Sequence, residues 1–386
     1  MLIGCVPAQT VEPTPTVPPP PTLTSIPPTS SPTSTEPPTP TLTLTPTAPP
    51  TRTPRPTAIP LFSPVKSAPI IPVEAGTFRG KYIEPGAAIF YDGQFHIFYN
   101  AFNRWPGITE VGYATSPDGI TWELHPEPVF NAEIANVAYM PYTLYVSDVE
   151  VESDGTWVLY FYTWDSSLAS ASGVIGRATA PTPRGPWQAD ASPLLTPASD
   201  EGRWDSYAVR NPSVVQTDEG FVMYYAGTDI SGVPVPQNDL DRIGMATSPD
   251  GLTWTKYNDP TTTEKLYALS DPVLTPQEDT IKWDGRRVDR PAVAFTPEGW
   301  VLFYRGNKGS ITTGNQVAYG YALSDDGIQW TPYAQNPVVR PSLFKVSEIY
   351  ATQMIYANGM YYVFAEGGTG NITQVYLAVG TLAPTP

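Results

Sequence analysis

Four carboxylates, Glu84, Asp148, Asp289 and Glu348, stand at or just before apolar, β-rich runs that share one pattern. Two arginines take equivalent places: Arg210, followed by Asn211, and Arg290, which follows Asp289. Acids that converge cannot all ionise, so one pKa rises while another stays low. Such a pair can give a proton to a leaving oxygen while its partner activates water or attacks carbon. Arg210 and Arg290 would hold the ionised acid or bind an anion such as phosphate. The same six residues would also satisfy one another as buried ion pairs in a purely structural channel. Other chemistries are poorly supplied. The chain has two histidines and one cysteine, Cys5, which removes a multi-His zinc site and any intrachain disulfide. A Ser-His-Asp or Cys-His mechanism is disfavoured for the same reason.

The elements that must position these groups recur along the chain. An apolar strand, a Gly turn and an aromatic strand read PGAAIFYDGQFHIFYN (85–100), VEVESDGTWVLYFY (149–162), PSVVQTDEGFVMYYAG (212–227), PAVAFTPEGWVLFYRG (291–306) and TQMIYANGMYYVFAEG (352–367). The turn glycines Gly93, Gly155, Gly220, Gly299 and Gly359 are spaced 62, 65, 79 and 60 residues apart. Asp-Gly, Glu-Gly and Asn-Gly between alternating runs predict hairpins. A second part is a strand, a turn and a Trp, as in VGYATSPDGITW (111–122), VIGRATAPTPRGPW (174–187), IGMATSPDGLTW (243–254) and VAYGYALSDDGIQW (317–330). The Trp is expected to pack between neighbouring sheets. Four strands per unit, repeated five times, predict an all-β, five-bladed β-propeller.

A short Pro-apolar piece follows each Trp: Pro128-Val129, Pro193-Leu194, Pro272-Val273 and Pro337-Val338. A fifth copy, Pro69-Ile70-Ile71-Pro72, precedes the first blade, and the last blade, ending QVYLAVG (374–380), has none behind it. The N-terminal strand around Pro69 is therefore expected to close the last blade, leaving no open edge. Innermost strands surround a channel, so residues at their starts converge on one face. Blade 2 allows two alignments: Gly155 puts Asp148 near the entry, whereas Pro141 puts Tyr142 there with six extra residues, and Asp148 is the reading preferred here.

Residues 66–386 are expected to form this domain, and residues 6–65 a stalk of Pro, Thr and Ser that buries too little apolar surface to fold. A PPII-like stretch of about 55 of these residues would reach about 170 Å. Residues 1–5 end in Leu2-Ile3-Gly4-Cys5, which resembles a bacterial lipobox; this implies lipid attachment at Cys5 and an extracellular, surface-tethered domain that meets the membrane only through its anchor. The chain's formal charge is −16, and residues 1–66 contribute +1, so the remainder carries −17 and a nucleic-acid partner is disfavoured.

The ATSPDGITW-type strands and the five-fold blade pattern resemble the five-bladed glycosidase superfamily of arabinanases, β-xylosidases, invertase-like fructosidases and mannoside phosphorylases. The likeness covers about residues 66–383. It implies a glycoside hydrolase acting on an oligo- or polysaccharide, with Glu84, Asp148, Asp289 and Glu348 as candidate catalytic acids. Arg210, Asn211, Arg290, Tyr350, Trp105 and Trp164 are the candidate substrate-binding residues, the aromatics stacking on sugar faces. Those hydrolases carry Asp where this chain has Glu84, and blade 3 has Asn211 where a Glu general acid would stand. The resemblance allows a calcium in the channel, but no Asp-rich loop demands one; no metal or other cofactor is expected, and the domain is expected to be a monomer. A non-catalytic glycan-binding propeller and a glycoside phosphorylase are the alternatives.

Overall fold

The computed structural model describes residues 61–382 apart from 168–171, 201, 230–240, 278, 280 and 309–315. The lipobox-like start with Cys5 and the stalk lie outside the described residues. The chain forms five antiparallel sheets, each running from an innermost to an outermost strand. The innermost strands are Tyr82–Tyr91, Thr143–Val151, Ala208–Thr217, Arg287–Thr296 and Glu348–Ala357, in blades 1 to 5. Each lies against its neighbours, and blade 5 returns to blade 1, so the ring is closed.

Turn chemistry explains the hairpins. Asp92-Gly93 and Asn358-Gly359 adopt positive φ at both central residues, the geometry a two-residue hairpin requires. The Ser-Pro-Asp-Gly turns, and Ser324-Asp325-Asp326-Gly327 in blade 4, are held by the aspartate before the glycine. Asp118 Oδ1 accepts from the backbone of Ile120 and Thr121, each at 2.8 Å, and Asp250 and Asp326 repeat the pattern. The Trp beyond each turn packs on the preceding blade, as expected: Trp122 on Phe364, Trp187 on Phe98, and Trp330 on Tyr224.

Closure of the last blade differs in detail from the expectation. The outermost strand is Phe62–Pro64, paired with Ala378–Gly380, so the domain starts ahead of Lys66. Ile70 and Ile71 instead bond Val375 near the start of the same blade 5 strand. Phe130-Asn131, Leu195 and Val339 play that part in blades 1, 2 and 4. The Pro-apolar piece is thus a second clasp on the third strand, and the residues just after each Trp make the outer edge.

The ring seams depend on a bulge near the start of every innermost strand. A bulge leaves backbone groups without ladder partners. In blades 2, 3 and 4 the preceding blade's side chain supplies one. Val146 N donates to Asn100 Oδ1 at 2.9 Å, Val214 N to Asp148 Oδ2 at 2.5 Å, and Val293 N to Ser213 Oγ at 3.0 Å. Asp148 therefore sits past the bulge, tied into the seam between blades 2 and 3; Oδ1 also accepts from Val149 N. Tyr145 takes the entry register of blade 2, since it faces Tyr162 as Glu84 faces Asn100.

Burial pushes the Asp148 carboxyl up to about 7, against the opposing effect of its N–H donors. Glu150, two residues along, is pushed up to about 8 by burial and by the charges of Asp148 and Glu152. Both acids hold protons in the folded state that the unfolded chain releases near pH 4. Their contribution to stability is present at low pH and is lost as pH rises through about 7 to 8.

Two outcomes follow from this architecture. A chain beginning at Gly76 loses the buried side chains of Phe62, Ile70 and Ile71. At about 1.5–3 kcal/mol for each buried side chain, its midpoint should fall on the order of 10 °C below that of a chain beginning at Leu61. Equal melting curves by calorimetry would remove the closure role. Separately, the domain should melt several degrees higher at pH 5 than at pH 8.5, and Glu150→Gln should flatten that slope. A slope unchanged by the substitution would exclude Glu150 as a source.

Candidate active site

Each innermost strand pairs with the strand behind it, so the cross-strand neighbour of an entry residue also faces the axis. Glu84 lies opposite Asn100, Asp289 opposite Arg305, Arg210 opposite Ala226, and the end of blade 5's second strand contributes Glu366. These two tiers make the site.

Glu84 is 2% exposed. Its Oε1 accepts from Asn100 Nδ2 at 3.1 Å, and its Oε2 lies 3.4 Å from Arg290 Nη2. The same Asn100 amide donates to Val146 O at 2.9 Å while its Oδ1 accepts from Val146 N. One carboxamide thus fixes Glu84 and clamps blade 1 to blade 2. Gly86 permits this approach, because a Cβ there would meet Val146 Cγ2 at 2.6 Å.

Asp289 is held by a two-pronged ion pair: Arg305 Nε donates to Oδ1 at 2.6 Å, and Nη2 reaches Oδ2. Burial alone would raise the Asp289 carboxyl, but Arg305, with Arg287 and Arg290, holds it below the ordinary range. Glu366 behaves in the opposite way. Burial first, and the Glu84 charge second, push it up to about 8, although a hydrogen bond from Thr373 and the charges of Arg290 and Arg305 oppose the rise. At neutral pH the site therefore holds a protonated carboxyl within the field of Glu84, itself paired with Arg290.

Backbone strain marks the same place. Among the described residues, six other than glycine have positive φ. Asp92 and Asn358 are hairpin turns, and Asn136 and Lys345 end short helices. The remaining two are Asn211 at 52° and Arg290 at 50°, equivalent positions in the bulges of blades 3 and 4. Arginine gains nothing locally from this conformation, which costs about 1–3 kcal/mol and persists where surrounding structure enforces it. It turns Arg290 toward Glu84.

The sequence-selected residues separate into three groups. Glu84, Asp289 and Arg290 meet at the axis, with Tyr162 taking up the charges of Arg290, Glu84 and Arg210. Asp148 belongs to the seam between blades 2 and 3, where backbone N–H groups bond both of its oxygens. Glu348 lies at an exposed rim, where Tyr350 Oη donates to Oε2. Trp105 is 48% exposed and Tyr350 37%, so both offer open faces. Trp164 is buried, and the Arg210 guanidinium covers its ring at 4.2 Å, so it offers no free stacking face.

Sequence reasoning passed over Asn100, Arg305 and Glu366. The available signal was a polar or charged residue near the end of the aromatic second strand in blades 1, 4 and 5, in FYN, FYRG and FAEG. Among the described residues no group of three or more His, Cys, Asp or Glu is placed to hold a metal ion. Asp148 accepts one backbone N–H on each oxygen, and Gln353 Nε2 reaches Ser147 O at 3.0 Å between blades 5 and 2.

No protein-family model matches the chain, and no curated protein sequence matches it. Solved structures do. One, from work on the GH130 family of mannoside phosphorylases and its glycoside hydrolases that target β-1,2 mannosidic linkages in Candida mannan, is 20% identical, with a TM-score of 0.62 over 86% of this chain and 98% of that one. A glycosyl hydrolase from Bacteroides ovatus is 19% identical, with a TM-score of 0.61 over 83% and 94%. A thermostable family-43 glycoside hydrolase is 15% identical, with a TM-score of 0.56 over 82% and 98%. The likeness is one of fold: the chain is a five-bladed propeller of the kind these carbohydrate-active proteins share.

Proposed function

We propose that the propeller cleaves glycosidic bonds with Glu366 as proton donor and Glu84 as the ionised partner. The observation that carries this is a buried carboxyl, Glu366, whose proton affinity burial and the nearby Glu84, itself paired with Arg290, raise to about 8. Two carboxylates whose environments drive their protonation apart are what acid-assisted glycoside cleavage needs. The bond between the anomeric carbon and the leaving oxygen breaks, and Glu366 passes its proton to that oxygen. Glu84 activates water or attacks the anomeric carbon, so hydrolysis adds one water across the bond. Arg290 orients Glu84 through their ion pair, and Asn100 fixes its rotamer. Arg305 and Asp289 form a satisfied pair that shapes the wall.

The fold shared with glycoside hydrolases supports the reading, and so does the strain at Arg290. The surface location stays part of the proposal, resting on Leu2-Ile3-Gly4-Cys5 and the Pro/Thr stalk.

Glu366→Gln and Glu84→Gln should each cut turnover on the responsive oligosaccharide by at least about a hundredfold, the usual scale for losing an acid or base. The wild-type rate should fall above about pH 8, as Glu366 loses its proton. Full turnover in both amide variants would overturn the assignment. Retained glycan affinity with no product in wild type would favour the binding-module alternative, and dependence on inorganic phosphate would identify a phosphorylase. For the anchor, cells fed labelled palmitate should label the protein, and Cys5→Ser should abolish that label; unlabelled wild type removes the lipoprotein reading.

A further inference from the structure

Glu348 and Tyr350 leave the axis for a groove between blades 4 and 5. The groove encloses about 640 Å³ and is lined by Gln316, Arg340, Ser342, Ser347, Glu348 and Tyr350, among others. These side chains come from three segments: the entry to blade 4's third strand, the short helix Pro341–Phe344 with Arg340 before it, and the innermost strand of blade 5. All six are exposed. The volume lies within the range of ligand sites, about 300–1,000 Å³.

Tyr350 joins this groove to the axis. Its carbonyl accepts from Arg305 Nη1 at 3.1 Å and from Tyr319 Oη at 2.7 Å, so its backbone is fixed by the axis cluster. Its hydroxyl donates to Glu348 in the groove. Gly368 makes room for the ring, since a Cβ there would come within 3.1 Å of it. The result is one open aromatic face flanked by a carboxylate, a guanidinium, an amide and two hydroxyls.

We infer that this groove is a glycan subsite, in which a chain held at the axis crosses Tyr350 and lays its further sugar units against Glu348, Arg340 and Gln316. Sugars fit this lining for definite reasons. Carboxylate and guanidinium each bond two neighbouring hydroxyls in a plane. The aromatic face covers the apolar C–H side of a ring. The substrate class is then an oligosaccharide of three or more units, longer than the axis alone would hold. This rests on the glycoside reading of the axis site.

Binding separates the two. The Glu366→Gln chain is titrated calorimetrically with linear manno-, xylo- and arabino-oligosaccharides of one to six units. Affinity should rise by about tenfold or more between two and four units in the responsive series, a step worth about 1.4 kcal/mol. Adding Glu348→Gln or Arg340→Ala should reduce that step below about threefold, with the melting midpoint as a check on folding. A flat length dependence, or a step that survives both substitutions in folded protein, overturns the subsite while leaving the axis reading intact. Absence of binding by all three series overturns both.

Discussion

The bulge at the start of each innermost strand is the constraint on which the ring and its site both depend. Five twisted strands packed around one axis cannot keep full ladders at their crowded ends, and each gives up one or two pairings there. Buried N–H groups left over must still find acceptors. Asn100, Asp148 and Ser213 provide them across the seams, so these polar residues are first of all structural. The same bulges put Asn211 and Arg290 at positive φ and turn long polar side chains inward. Seam and site are two consequences of one backbone irregularity.

This shared origin divides the acids. Asp148 accepts a backbone N–H on each oxygen, which binds it to the seam. Asp289 is similarly committed, to both arms of Arg305. Glu84 has one oxygen on Asn100 and the other 3.4 Å from Arg290, a looser hold that leaves capacity for a third partner. Glu366 is buried without a close ion pair among the salt bridges of the described residues, so its proton stays on. Reactivity here follows from what the fold has not already used.

Much of this was legible in the chain. Gly turns, Asp-Gly hairpins and the Trp after each Ser-Pro-Asp-Gly turn are local signals, and they fixed the blade count. The orphan Pro69-Ile70-Ile71 gave away closure, although the edge strand itself is Phe62–Pro64, whose Phe-Ser-Pro shows no distinctive β pattern. The site was half legible. Entry positions are readable because they precede a proline or an apolar run, which found Glu84, Asp289 and Arg290. Asp148 misled because blade 2 carries Val146 where blade 1 has Pro85, so the entry register passes to Tyr145 without any mark in the sequence. Asn100, Arg305 and Glu366 needed cross-strand pairing, a relation that becomes visible once hairpin register is drawn out from the turn.

The position of the acid pair in the ring carries the last step. Glu84 comes from the first blade and Glu366 from the last, so only closure of the propeller makes them neighbours. Thr373, in blade 5's third strand, joins them. Its hydroxyl accepts from Ile83 N at 3.2 Å, beside Glu84, and it bonds Glu366 on the other side. That strand, Ile372–Gly380, is the one the N-terminal Phe62–Pro64 edge and the Ile70-Ile71 clasp hold in place. The Thr373 backbone adds a bond to Lys81 O at 3.1 Å, drawing the start of blade 1 onto blade 5. A residue pair whose separation sets its protonation is thereby tied to the strand that seals the ring. Fraying at the N-terminal edge would relax burial of Glu366 and its repulsion from Glu84 together, returning its carboxyl toward an ordinary, ionised state. Burial of the axis acids and integrity of the outermost seal are in this sense coupled.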